Sequence, residues 1–298
     1  MELLGRDTRM TARATAHLVE QAATVTSRAA ERAGVEIRLV DDLPGLTDIC
    51  ALLDRIWRPD PTNPLLTTEF ARALSHAGNY IAGAFDGVEL VGACVGFFAD
   101  PPGQALHSHV AGVAEPALGR QVGWALKLHQ RSWALARGLR EITWTFDPLV
   151  RRNAHFNLAK LAARPREYLV DFYGDIPDSV NAGQGSDRLL LAWELAAPDV
   201  IAASEGRPVT PSVGAATRAI SVSGTNRPVV AGEHEWRSAQ KVTIQLPADI
   251  TALRRDNPAA AREWRRAARD VLGTLLHDGW QIIGFSRDEG YVVERTAR

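Results

Sequence analysis

Apolar positions along the chain recur at two spacings, and the switches between them mark out its elements. Residues 1–34 are alanine-rich and polar with a thin apolar stripe, which predicts one helix ending near Gly34. VEIRLV, 35–40, alternates and predicts a strand. From Pro44 the apolar residues Leu46, Ile49, Leu53, Ile56 and Trp57 return at helical spacing, until the stretch from Pro59 to Pro64 breaks the pattern. Thr67 is placed to cap a second short helix that Gly78 ends. NYIAGAF (79–85) and VELVGACVGFFA (88–99) flank Asp86-Gly87, the signal of a type I′ hairpin turn.

LHSHVAGVAE (106–115) predicts another strand, followed by a helix from about Arg120 to Arg137 with Gly138 as its stop. EITWTF (141–146) is a strand ended by Asp147-Pro148, RRNAHFNLAKLAA (151–163) a short helix, and REYLVDFYG (166–174) a strand. A loop containing glycine and asparagine precedes the strand DRLLLAWEL (187–195). The order over 35–195 is therefore β-α-α-β-β-β-α-β-α-β-β, an α/β pattern. Residues 197–236 show little periodicity and read as a linker or irregular excursion. KVTIQL (241–246), a helical region from Pro258 to His277 and the strands WQIIGFS and GYVVER follow. The expected organisation is a helical extension (1–34), an α/β core (35–197) and a C-terminal α+β segment (198–298). That last segment either packs on the core or completes a homodimer interface.

Composition narrows the function classes. The 298 residues are 46% hydrophobic and 23% charged, close to the globular average, so wholesale disorder is excluded. Thirty-four basic against thirty-five acidic side chains leave no basic excess for non-specific nucleic-acid binding. Cys50 and Cys94 lie in apolar runs with no Cys/His cluster, which argues against a disulfide scaffold or a zinc site and fits a reducing compartment. No apolar stretch approaches the ~18–20 residues of a membrane span, and no signal-peptide core stands at the N-terminus. A cytoplasmic protein without metal, nucleic-acid or membrane partner is the expectation.

The segment that carries chemistry is 106–138, a strand leading through a tight loop into a helix that begins RQVGWA. Gly123 has no side chain there, so a phosphate can approach the helix closely. The N–H groups of Arg120, Gln121, Val122 and Gly123 would point out of the helix N-terminus, where donors and dipole together favour an anion. This arrangement resembles the GNAT superfamily of acyl-CoA N-acyltransferases, whose signature R/Q-x-x-G-x-G/A is matched by Arg120, Gly123 and Ala125. The resemblance spans about half the chain, and the element order of 35–174 is the family's. The stretch WTFDPLVRRNAHFNLAKLAA and the later YGD and SDRLLLAWEL are also similar to a branch of the family associated with amino-acid-like substrates.

The resemblance implies a GNAT-like mixed central sheet flanked by helices, and acetyl-CoA or another acyl-CoA as co-substrate. It implies that Arg120, Gln121, Val122, Gly123, Trp124 and Ala125 hold the pyrophosphate. The preceding strand would splay from its neighbour near Val110 to Val113, leaving the Val113 N–H to bond the thioester carbonyl. Asn153 would lie beside the pantetheine arm. The family tyrosine expected seven residues after that asparagine is missing, since Lys160 or, in a shifted register, Leu158 stands there. Transfer of an acyl group to a primary amine of a small molecule is the implied activity. N-succinyl transfer to an amino acid and CoA binding without catalysis are the alternatives.

Other residues are candidates for the remaining roles. His107 and His109 alternate along one strand, so both would face one side, and His109 is a candidate base. Tyr168 and Tyr173, both on the next strand but one, are candidates for the displaced acid. Arg188, and Arg152 at the C-terminal side of EITWTF, are candidates for a substrate carboxylate. Glu69, Asp147 and Glu194 are further candidate bases, and Trp124, Trp133 and Trp144 read as core or groove walls.

Overall fold

The computed structural model describes residues 2–174 and 185–296, with side chains from residue 15 onward. Most of the loop expected before Asp187 lies outside the described residues. The chain forms two compact units, Met1–Thr143 with Glu194–Ala196, and Trp144–Trp193 with Ala197–Arg298. This division differs from the three segments expected from composition, because the helical extension belongs to the first unit and the border falls within a strand.

The first unit contains α1 (Glu2–Ala33), β1 (Glu36–Leu39), α2 (Leu43–Trp57), α3 (Thr68–His76), β2 (Tyr80–Asp86), β3 (Glu89–Ala99), β4 (Ala105–Val113) and α4 (Val122–Ala136). β5 (Glu141–Phe146) begins in it. β1 to β4 pair antiparallel in sequence order. β5 joins parallel to β4 over Ala105↔Glu141 to His107↔Thr143, giving a mixed sheet. Val40, Leu46, Ile49, Leu53, Ile81 and Val95 form the core under α2 and α3. Trp57, expected on that buried face, is 50% exposed because it is the last residue of its helix.

α1 packs against α4. Its contact face is built of the small residues Ala22, Thr26, Ala29 and Ala33, all buried at helical spacing. Thr26 Oγ1 donates to the Leu128 carbonyl across the interface, 2.9 Å. The hairpin turn differs by one residue from expectation. Asp86 pairs with Glu89, so the two loop residues are Gly87 and Val88. Only Gly87 has a positive φ, 59°, which is the pattern of a type II′ turn rather than I′.

The second unit contains α5 (Arg151–His155), running into a π-helical turn at Phe156–Lys160, then β6 (Arg164–Leu169) and β7 (Arg188–Glu194), which pair antiparallel. β6 stops at Leu169, so Tyr173 lies in a turn and not on the strand. The region expected to be a linker holds α6 (Pro198–Ser204), β8 (Thr217–Val222), β9 (Pro228–Val230) and α7 (Glu233–Ser238). With β10 (Lys241–Ile244), α8 (Ile250–Asp256), α9 (Pro258–Ala268), α10 (Thr274–His277), β11 (Gln281–Ser286) and β12 (Gly290–Glu294) they complete a second sheet, ordered β11-β12-β10-β8-β9. β8 pairs parallel to β10, and its Ala219 and Ile220 are fully buried. Short strands whose partners lie far along the chain leave little local periodicity to read.

Candidate active site

The start of α4 is shaped by two left-handed residues. Gly119 has φ 84° and Gln121, a non-glycine in the same region, φ 67°. The carbonyl of Gln121 accepts the N–H groups of Trp124 and Ala125, both at 3.0 Å. Among the described residues, the N–H groups of Arg120, Gln121, Val122 and Gly123 donate to nothing. A Cβ built on Gly123 would meet only Val113 Cγ2, at 3.6 Å, an ordinary contact. The fold therefore has room for a side chain there, and glycine in a helix costs about 1 kcal/mol relative to alanine. What glycine provides is an open helix end whose N–H donors have no partner among the described residues.

Next to this cradle runs the edge of β4. The Ala114 N–H donates to the Val91 carbonyl, 2.8 Å, so this is a hydrogen-bonded pair of the β3–β4 ladder. By alternation Gly92↔Val113 and Cys94↔Ala111 are non-hydrogen-bonded pairs, and the N–H groups of Val113 and Ala111 point away from β3. Within the first unit the ladder to β5 ends at His107↔Thr143 while β4 runs on to Val113.

β4 is also bulged. Val110 pairs with Val95 and Ser108 with Gly96, leaving His109 as the extra residue. The bulge turns Ser108 toward α4, where Lys127 Nζ donates to its Oγ at 3.0 Å, and puts His107 and His109 together on the opposite face. Both imidazoles lean on Phe97, with ring centroids 5.3 and 5.9 Å away. His107 Nδ1 lies 3.1 Å from Thr143 Oγ1. Burial, His109 and Lys127 together push the His107 pKa down to about 4. His109 keeps an exposed edge. Partial burial lowers its pKa from 6.5, opposed by the backbone carbonyl of Leu65. The pair is thus neutral near pH 7, and His109 is the more exposed member.

Three expected cofactor contacts need correction. The guanidinium of Arg120 is committed elsewhere: it donates to the carbonyls of Ala33 and Gly34 at the end of α1 and pairs with Asp86 at 2.7 Å. Arg120 therefore offers its backbone alone. Trp124 and Ala125 have spent their N–H groups on Gln121, and both side chains are buried, so neither faces the cradle. A residue set that sequence reasoning missed lies beneath. Lys127, buried in α4, also donates to Gln130 Oε1 at 2.9 Å, and burial brings its pKa down to about 8. The only signal was a lysine interrupting an apolar helical run.

In the second unit the two candidate tyrosines differ. Tyr173 is 45% exposed, and its hydroxyl lies 3.1 Å from Thr145 Oγ1. The Tyr168 hydroxyl donates to Asp187 at 2.7 Å. Burial and that carboxylate push its pKa well above 10, and its proton is engaged by Asp187, which makes it a poor proton donor. Asp147 is likewise no base. It accepts both Nη atoms of Arg265, at 2.9 and 2.7 Å, and an N–H of Arg254. Although burial opposes ionisation, the two guanidiniums hold its carboxyl well below the usual carboxylate range. Arg188 is half-buried and Arg152 exposed. Asn153 is half-buried in α5, and its side-chain amide makes no hydrogen bond among the described residues. No three His, Cys, Asp or Glu among the described residues are placed to hold a metal, and no described helix is long and apolar enough to cross a membrane.

No family model and no curated protein matches the sequence. Solved structures do. An N-acetyltransferase from Staphylococcus aureus Mu50 aligns at 16% identity over 54% of this chain and 98% of its own, with a TM-score of 0.45. The ribosomal-protein-S18-alanine N-acetyltransferase of Escherichia coli aligns at 10% identity over 55% and 95%, TM-score 0.45. A GNAT family acetyltransferase from Elizabethkingia anophelis with acetyl-CoA bound aligns at 15% identity over 54% and 98%, TM-score 0.42.

Proposed function

We propose that this chain is an acyl-CoA-dependent N-acyltransferase that transfers an acetyl or similar group to a primary amine by direct attack on the thioester. The observation that carries the reading is the start of α4: unpartnered N–H groups at Arg120–Gly123 beside a glycine that packing does not require. Those donors suit the pyrophosphate of acyl-CoA, with the dipole of a 15-residue helix behind them. The β4 edge supplies a second donor, the Val113 N–H. It suits the thioester carbonyl and, more strongly, the oxyanion that develops as the amine adds.

The chemistry then balances as follows. The neutral amine forms a C–N bond to the thioester carbon, and the carbonyl electron pair moves onto oxygen, where the Val113 N–H meets it. His109 takes the proton from the nitrogen. As the carbonyl re-forms, the C–S bond breaks and the thiolate leaves with its electron pair. Tyr173 is the candidate tyrosine whose hydroxyl meets no carboxylate among the described residues and is open to solvent, and is the donor we assign to that thiolate. The acceptor we assign is a small molecule, and the compartment the cytoplasm.

The deciding experiment is calorimetry of CoA binding to wild type and Gly123→Glu. The new side chain occupies the phosphate position and repels it. Its helix propensity exceeds that of glycine, and an acid is favourable in the first turn, so the variant folds at least as well. CoA binding is expected in wild type and lost in the variant at unchanged or higher Tm. Equal affinity in a folded variant overturns the reading.

A further inference from the structure

In the second unit Arg254 and Arg265 are buried, and Arg188 and Arg269 are half-buried. Arg254 and Arg265 pair with Asp147, and Arg269 pairs with Asp187 at 2.6 Å and Asp171 at 3.0 Å. Arg188, at the start of β7, pairs with no carboxylate among the described residues. Its Nη1 donates to the Asp187 carbonyl at 2.9 Å, and its guanidinium stands 5.2 Å from the centroid of the Tyr173 ring.

Carboxylates are near, but their oxygens are taken. Asp147 Oδ1 accepts from the Leu149 N–H and Arg265, and its Oδ2 from Arg265 and Arg254. Asp187 accepts from Arg269 through both oxygens, from the Tyr168 hydroxyl and from the Asp171 N–H. Asp187 is fully buried, and the Arg188 guanidinium makes no hydrogen bond among the described residues beyond the one to the Asp187 carbonyl. A half-buried cation that pairs with no carboxylate among the described residues is costly unless an anion completes it. Burial draws the Arg188 pKa below that of a free guanidinium, and the charges of Arg265 and Arg254 act in the same direction, against Asp147 and Tyr173.

We propose that Arg188 anchors a carboxylate-binding site in the second unit, its fork taking the carboxylate of a small molecule beside the Tyr173 ring. A guanidinium edge matches the two oxygens of a carboxylate in plane. A single negative charge also suits one arginine that pairs with no described carboxylate, whereas a phosphate dianion would leave a charge unbalanced, because Arg254 and Arg265 already serve Asp147. Arg152, the other candidate, is exposed on α5 and keeps its water. Two sources share the ligand chemistry: the carboxylate of an amino-acid acceptor, and the far carboxylate of a dicarboxylic acyl group. Linking the site to either source rests on the acyl-transfer reading, while the site itself does not.

The test has a binding arm and a transfer arm, both on the full chain. Thermal unfolding is followed against succinate at constant ionic strength, with chloride as the control. Wild type is expected to gain Tm saturably, and Arg188→Gln to gain none. Arg188→Lys keeps the charge without the fork and is expected to bind about tenfold more weakly, the scale of one charge-assisted hydrogen bond. For transfer, free amino acids are compared with their amides using acetyl-CoA, and succinyl-CoA with acetyl-CoA on an uncharged amine. A preference for the carboxylate in one comparison, collapsing toward unity in Arg188→Gln, identifies the source. Equal stabilisation of wild type and Arg188→Gln by succinate overturns the site, as does undiminished binding by Arg188→Lys. If succinate binds through Arg188 but no acyl-CoA is ever turned over, the site stands and the acyl-transfer reading falls.

Discussion

A single unpaired residue decides what the two strand histidines do. Without the bulge, strict alternation would send Ser108 to the α2 face and both imidazoles under α4, beside a buried lysine. With His109 as the extra residue, the imidazoles share the face of Phe97 and only Ser108 meets Lys127. The HxH spacing already implied a shared face, and the bulge decided which one. His109 must be neutral to accept a proton, and its pKa is lowered from 6.5, so the acidic limb of kcat is expected below pH 6.5. His109→Gln should lower kcat by about 100-fold or more, with little change in KM for acyl-CoA, and should erase that limb. Steady-state kinetics from pH 5 to 8 check this, and a variant with the wild-type limb would assign the base elsewhere.

At the scale of elements, the loop before α4 is tied to its surroundings by one side chain. Arg120 bonds the final carbonyls of α1 and the Asp86 carboxylate at the end of β2, so it joins helix, hairpin and cradle. The carbonyls at a helix end need such partners, and a cation is favourable there. Arg120→Gln is expected to cost about 1–2 kcal/mol, several degrees in Tm, mostly from the lost bonds to α1 because the exposed ion pair contributes little. On the proposed function, CoA affinity should stay within about threefold, since the proposed cradle uses the backbone N–H. Differential scanning calorimetry and titration separate the two effects. A large loss of affinity at unchanged Tm would return the Arg120 side chain to the binding site.

At the scale of the whole molecule, acid stability follows from imidazoles held neutral by burial and a carboxylate held ionised by two guanidiniums. His107 and His129 have pKa values near 4 in the fold against 6.5 unperturbed. His129 is lowered by burial and sits with its Nδ1 2.8 Å from the Tyr80 hydroxyl. Between those pH values the unfolded chain binds more protons than the folded one, so their contribution, complete above pH 6.5, is lost as pH falls to about 4. Asp147 acts lower. Its folded pKa is depressed below 3.8, so what it contributes is present above that pH and disappears beneath it. Tm is therefore expected to fall steadily from pH 6.5 to 4, and His129→Gln to flatten part of the slope. A Tm independent of pH over that range in wild type would show that these imidazoles titrate normally.

Much of this was legible because it is local. Periodicity, caps and glycine stops follow from neighbours three or four residues away, so α2, α3, α4 and β5 fall where the sequence puts them. The glycine of the cradle was legible for the same reason: a residue that weakens a helix signals a requirement outside it. What tertiary structure alone decided involves partners distant in the chain. β8 becomes a strand because β10 and β9 lie beside it, although its own residues carry weak periodicity. Arg120 turns from ligand contact to brace because the end of α1 arrives next to it. Tyr168 and Tyr173, alike in sequence, separate because one meets a buried Asp187 and the other a threonine at the surface. Backbone propensity acts within a turn of chain, whereas charge pairing, desolvation and sheet pairing depend on which residues meet, and that is set only when the chain has folded.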